Sequence, residues 1–252
     1  MRRTSKSLHS LMKPLPPDST LRLDRFLAHA SEQSRSQVRK LLKAGAVTVD
    51  GVACADAERD INAQHRVTLD GAVLEWPRAR YVMLHKPEGY VCSQEDANHP
   101  LVTSLLATPW AESLHSAGRL DVDTTGLVLL TNDGDWSHRV TSPRRRCNKT
   151  YLAGLKHPLA DDVAQRFAAG LQLNGEAEAT LPAQLQVLDP HTARVTLHEG
   201  RYHQVKRMFA ACSNRVVTLH RERIGTIQLD PALAPGQWRE LDHNEIRSFL
   251  HD

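Results

Sequence analysis

Cysteine is scarce in this 252-residue chain: Cys54, Cys92, Cys147 and Cys212 lie tens of positions apart, with no CxxC pair. Such spacing excludes a disulfide framework and a zinc knuckle, and it fits a reducing cytoplasm. Long apolar runs are missing too. Nothing approaches the ~18 residues of a membrane span, and the N-terminal stretch lacks a signal-peptide apolar region. No GxGxxG, P-loop or HExxH occurs, which removes the usual signs of a dinucleotide site, a phosphate cradle and a zinc protease.

What remains has ordinary globular usage, with 40% hydrophobic and 24% charged residues and a mean hydropathy of −0.44. That suffices for one large domain or two unequal ones, each with its own core. The net charge of +3 is small but unevenly spread. From Arg2 to Lys43 ten Lys/Arg stand against three acids, a net of +7, and Arg139 to Tyr151 holds five Lys/Arg and no acid. Any nucleic-acid partner must be argued from these clusters. Residues 1–20, basic and interrupted by Pro14, Pro16 and Pro17, read as a disordered tail in preference to a transit peptide, with Met12 a second candidate start.

Beyond the tail, "LRLDRFLAHA" places Leu23, Phe26, Leu27 and Ala30 on one helical face. In "SRSQVRKLLKAG", Ser34 and Gln37 have capping-box spacing, Val38, Leu41 and Leu42 form an apolar stripe, and Gly45 suits a helix C-terminus. An Asp-Gly hairpin follows in "AVTVDGVAC". Arg22, Arg25, Arg35, Arg39, Lys40 and Lys43 are the candidate phosphate contacts of this module, against the plain alternative of a solvated helix face. Its order and pattern resemble the S4 RNA-binding domain, which implies contact with structured RNA. The module is expected over 21–76, and a second domain over 77–252.

The second domain reads as strands at "YVMLHK", Leu127–Thr131, Leu185–Val187, Arg194–Leu197, Val216–Leu219 and Ile224–Leu229. Helices are expected near Asp161–Ala169, Tyr202–Ala211 and Asn244–Leu250. Hairpin turns outnumber crossovers, so the fold class is α+β, with a largely antiparallel or mixed β-sheet flanked by helices.

Four aspartates bracket the apolar run of "GRLDVDTTGLVLLTNDGDW". Asp133 and Asp135 lie in Asp-Gly turn chemistry and read as turn formers. Asp121, Asp123, Thr125 and Gly126 match the first positions of a calcium loop, yet position 12 is Asn132 instead of a bidentate Glu and a strand follows. A magnesium DxD site would need the phosphate cradle the chain lacks. Asp121, beside Arg119 on an irregular loop, is then left as a lone nucleophile or base, or as a structural carboxylate.

"AGRLDVDTTGLVLLTNDGDW", with "HKPEGYVCS" before it and "KTY" and "EGRYHQVKRMF" after it, resembles the RsuA family of pseudouridine synthases. The stretches "WSHRVTSPRRRCNKTY" and "VVTLHRERIG" are most similar to its small-subunit rRNA branch. The resemblance implies isomerisation of a uridine within 16S rRNA, at position 516 in customary bacterial numbering, without cofactor or metal. It maps the essential acid onto Asp121, its basic partner onto Lys206 and the base-stacking tyrosine onto Tyr151. It also implies that the uridine is flipped out of its helix. Arg119, Arg201, Gln204 and Arg207 are the expected RNA contacts near the site, and the cations of 139–149 and 215–223 are expected along the displaced backbone.

The expected partner is 16S rRNA or a small-subunit assembly intermediate, met by a cytoplasmic monomer with no membrane or nucleotide cofactor. Three alternatives remain at this point: a synthase for 23S rRNA, a non-catalytic ribosome-assembly factor, and a metal-dependent hydrolase suggested by the 14 histidines.

Overall fold

The computed structural model describes residues 20–31, 33–76, 78–93, 96, 98–108, 110–142 and 147–250, His29 by its backbone alone. The basic tail up to residue 19 and Arg144, Arg145 and Arg146 therefore lie outside the described residues. The chain divides into two compact units, Met1–Ala79 and Arg80–Asp252.

In the first unit β1 (Leu21–Arg22) runs straight into α1 (Leu23–Ala30). Helix α2 (Arg35–Lys43) opens with the full capping box: the Gln37 backbone N–H donates to the Ser34 hydroxyl, and the Gln37 side chain accepts from the Ser34 N–H. Four short strands follow, β2 (Val47–Val49), β3 (Val52–Ala53), β4 (Asp60–Ile61) and β5 (Val67–Leu69), and then β6 (Ala72–Val73). They form an antiparallel sheet in the order β3-β2-β5-β6, with β4 paired to β1. Asp50-Gly51 and Asp70-Gly71 make the two hairpin turns, and all four residues have positive φ, as a type I′ turn demands. Leu23, Phe26, Leu27, Val38, Leu42, Val47 and Ile61 close the core, and Trp76 stacks on Phe26.

The second unit is one mixed sheet of nine described strands. Its path uses β7 (Tyr81–Lys86), β9 (Thr125–Thr131), β10 (Lys149–Leu155), β11 (Gln184–Asp189), β12 (Thr192–Leu197), β13 (Val216–Ile224) and β15 (Trp238–Glu240) in the order β11-β12-β10-β13-β9-β7-β15. Short β8 (His115–Ser116) pairs with β9, and β14 (Ile227–Gln228) with β13. Among these described strands only the β9–β13 pairing is parallel. The apolar run of β9 is buried on both faces: Leu127 and Leu129 enter a core with Met83 and Trp136, while Val128 and Leu130 enter another with Val82 and Leu84. This explains why the strand reads as a continuous apolar run with no alternation.

Helices α3 (Gly134–Thr141), α4 (Val163–Ala169), α5 (Gln204–Ala211) and α6 (His243–Arg247) cover the sheet. Two sequence expectations change. Asp133 is a helix N-cap, accepting from the Asp135 and Trp136 N–H groups, so the Asp-Gly pair begins α3 instead of a free turn. The two strands expected over 216–229 are one nine-residue strand and a short return across Gly225. Arg221 in the middle of "VVTLHRERI" is buried, so polar residues on an inward face hid the alternation.

Gly126 shows how closely β9 and β13 meet. It pairs with Arg221 at φ +107°, and an added β-carbon would lie 2.6 Å from the Arg221 nitrogen and closer still to its carbonyl oxygen. Only glycine fits there.

Candidate active site

Asp121 stands in the loop that leads into β9, at the head of a turn in which the Thr124 N–H donates to the Asp121 carbonyl (3.1 Å). Two buried cations hold this loop from below. Lys86, at the end of β7, is wholly buried; its ammonium donates to the carbonyls of Pro87 (3.1 Å), Val122 (3.2 Å) and Thr124 (2.7 Å). Burial pulls its pKa below the ordinary lysine value, and nearby Cys92, Asp123 and Asp121 oppose that shift.

Arg221 of β13 is the second. Its Nε donates to the Leu127 carbonyl (2.8 Å) and its Nη1 to the Arg119 carbonyl (3.2 Å), so one guanidinium ties the two ends of the loop together. Its Nη2 is buried without a partner among the described residues. The same guanidinium lies over the Tyr151 ring, 6.0 Å from the centroid. Tyr151, Arg221 and Gly126 face one another across three adjacent strands, which sets the tyrosine about 10 Å from the start of β9.

Helix α5 supplies the other wall. Val205, Met208 and Phe209 are buried in the core that Ala153, Val195 and Phe167 share, which turns Lys206 outward. Its Nζ lies 3.0 Å from Asp121 Oδ2 and 2.6 Å from Asp123 Oδ1. Partial burial lowers the Lys206 pKa, but the hydrogen bonds to Asp123 and Asp121 outweigh it and leave the pKa raised. For Asp123 burial acts upward, and the Lys206 ammonium outweighs it to hold the carboxyl below its ordinary value. His203 caps α5 in a left-handed conformation (φ 47°, ψ 36°), with Nε2 3.5 Å from Asp121 Oδ1. Asp121 thus sits among the Lys206 ammonium, the His203 imidazole and the competing Asp123 carboxylate on an exposed rim. Such a carboxylate can attack or take a proton at a carbon brought against it.

The sequence-derived set divides on this geometry. Asp121 and Lys206 meet directly, and Tyr151 lies beside Arg221, whose guanidinium holds the two ends of the Asp121 loop. Arg119 is exposed and lines a cavity of about 370 Å³ with Cys92, Ser93, Thr103, His115 and Ser116. Arg201, Gln204 and Arg207 turn their donors to the protein itself in this structure. Arg201 serves Glu199 and the carbonyls of Glu178 and Ala179. The buried Gln204 amide joins Glu199 to the Arg201 backbone, and Arg207 binds Glu176 and the Asn174 carbonyl. Together they pin residues 174–180 to the start of α5. The cations of 139–149 and 215–223 divide too: Arg215 and Arg223 are exposed, whereas Arg221 is inside.

In the first unit Arg22 is taken up by Asp24 and Glu58. Arg25, Arg35, Arg39, Lys40 and Lys43 are exposed, and none of the last four pairs with an acid among the described residues. Sequence reading missed Lys86 altogether, took Arg221 for an RNA contact among the cations of 215–223, and weighed Asp123 only as a metal ligand. The available signals were an Arg on the inward face of a strand and a Lys beside the Pro-x-Gly turn.

The described residues hold no group of three His, Cys, Asp or Glu suited to a metal ion, and no described helix is long and apolar enough to cross a membrane.

Comparison with known proteins gives the family. Residues 80–211 match the RNA pseudouridylate synthase family, and residues 21–73 match the S4 domain. The ribosomal small subunit pseudouridine synthase A of Yersinia pestis is 55% identical over 229 residues, covering 90% of this chain and 97% of its own. The protein of that name from Escherichia coli K12 is 53% identical over 231 residues, covering 91% of this chain and 100% of its own. A crystal structure of a pseudouridylate synthase superposes with a TM-score of 0.67 at 45% identity, covering 91% of this chain and 99% of the other. The chain belongs to the RNA pseudouridylate synthase family, as a member in which an S4 domain precedes the synthase domain.

Proposed function

We propose that this synthase isomerises a uridine of small-subunit rRNA, uridine 516 of 16S rRNA, and that Asp121 is the residue that acts on the sugar. The C1′–N1 bond breaks, the base turns, C5 bonds to C1′, C5 loses its proton and N1 gains one, so the formula is unchanged. As nucleophile or as base, Asp121 acts in its ionised form. The observation that carries this reading is the Lys206 ammonium 3.0 Å from Asp121 on a loop fixed by buried Lys86 and Arg221. The small-subunit names of relatives above 50% identity favour the 16S substrate.

A uridine inside a stem must leave its helix to reach this carboxylate, at a cost of a few kcal/mol. Stacking on Tyr151 returns about 1–3 kcal/mol of that. The exposed cations of α2 and its flanks bind phosphates and orient the RNA without reading its sequence. Carbodiimide labelling with primer extension on incubated 16S rRNA tests the proposal, because isomerisation is silent by mass. Wild type should produce one new stop at that uridine, and Asp121→Asn should produce none while still binding RNA. Turnover by the Asn variant removes Asp121 from its role, and a stop elsewhere removes the site.

A further inference from the structure

Tyr202 is the most exposed of the described large hydrophobic side chains: it is 73% exposed, although it directly precedes a residue that touches Asp121. Its ring is not loose. It stacks on the His203 imidazole with centroids 3.8 Å apart and planes 18° apart, and its carbonyl accepts from Arg207 Nη1 (3.2 Å). His203 holds φ 47°, a region that residues bearing a β-carbon seldom occupy, and it makes no side-chain capping bond. Its ring is instead held between Tyr202 on one side and the Asp121 carboxylate on the other. Local strain of this kind persists where the surroundings impose it, and such places are often functional.

One face of Tyr202 is thus covered by His203 and the other is open. An open aromatic face, held flat by a second ring and set one residue from a neighbour of the reactive carboxylate, matches the π-face of an unpaired base.

We propose that Tyr202 is a second stacking platform, and that it takes the base of a nucleotide flanking the target uridine once that uridine has left the stack. The inference rests on the proposed role of Asp121 and deepens it, by giving the site a subsite for single-stranded RNA next to the reacting nucleotide. Stacking tolerates any base, so this platform supplies affinity and register without base choice.

The test uses the full chain in the D121N background with a small-subunit rRNA transcript. Y202F should bind within about twofold of its parent. Y202L and Y202S should bind about 5- to 140-fold more weakly, with the salt slope unchanged, because stacking releases no counterions. The exposed ring leaves the core intact, which thermal unfolding checks. Abasic nucleotides, placed one at a time on either side of whichever uridine the wild-type enzyme converts, then locate the stacked base. One of them should weaken the parent and have no further effect on Y202L. Unimpaired binding by Y202L and Y202S, equal losses in Y202F, a shifted salt slope, or no abasic position coupled to Tyr202 each overturns the proposal. Failure of the Asp121 reading appears separately, as turnover by D121N with Tyr202 intact.

Discussion

Arg221→Met tests the claim that a buried guanidinium holds the loop that carries Asp121. The substitution keeps an unbranched apolar side chain in the space and deletes the bonds to the Leu127 and Arg119 carbonyls, at 2.8 and 3.2 Å. Bonds from a charged donor contribute about 1.5–3 kcal/mol each, so the gross loss is about 3–6 kcal/mol. Part of this is offset. The wild-type guanidinium buries Nη2 without a partner, and removing that group returns about 1–3 kcal/mol. At mid-range values the net cost is about 2.5 kcal/mol, a fall in Tm of about 5–10 °C for a unit of this size.

The larger effect falls on chemistry. Once the Arg119 carbonyl is released, the loop carrying Asp121 loses its tie to β9, and displacement of a reacting group by about 1 Å costs about 100-fold in rate. Single-turnover tritium release from rRNA labelled at uridine C5 measures the chemical step, and filter binding measures affinity. The expected result is a fall of about 100-fold in single-turnover rate, with affinity for RNA within about threefold. Arg221→Lys, able to reach one carbonyl but not both, should fall between. A variant with normal rate and Tm refutes the reasoning. So does one whose loss lies entirely in affinity, since Arg221 would then bind RNA directly.

Lys206→Met leaves the Asp121 and Asp123 carboxylates without their shared cation and should lower kcat by about 10²- to 10³-fold, while Lys206→Arg recovers most of it. Equal losses in the two variants would show that charge is not what matters. His115 and His220 are half-buried, and burial, joined for His220 by the neighbouring His85, depresses both pKa values below 6.5. The unfolded chain therefore binds more protons just below that pH, so their contribution is complete above 6.5 and declines as pH falls through the window. Tm should be lower at pH 5.5 than at 7.5, and a flat or rising profile contradicts the assignment. In the first unit, Arg39→Ala with Lys40→Ala should weaken RNA binding and reduce the salt slope by about 0.7–0.9 for each phosphate no longer neutralised. An unchanged slope makes that helix face ordinary solvated surface.

What was legible in the sequence was local or repeated. Ser34 and Gln37 announce α2 because a capping box is complete within four residues, and Asp50-Gly51 announces its hairpin because the turn needs positive φ at both positions. The β9 run was legible because burial on both faces leaves no polar position between Leu127 and Leu130. The pairing of Asp121 with Lys206 was legible only through motif resemblance, since 85 residues separate them and no periodicity reports an ion pair across that span. Asp133 misled because the chemistry that makes an Asp-Gly turn also makes an N-cap, and the choice depends on Trp136 finding a core.

Lys86 and Arg221 escaped for a reason that bears on how this site is built. A loop that must present a carboxylate cannot also satisfy its own carbonyls in a sheet, and the side chains beneath it, Lys86 and Arg221, are buried. Buried cations from β7 and β13 take the place of a missing ladder, reaching Val122 and Thr124 from one side and Arg119 and Leu127 from the other. In the sequence each appears as a polar residue on a face that should be apolar, so it counts against the strand that contains it. The breaks in pattern at "LHKP" and "LHRERI" are therefore part of the site, because the strand surrenders regular alternation where it supports the loop that carries Asp121.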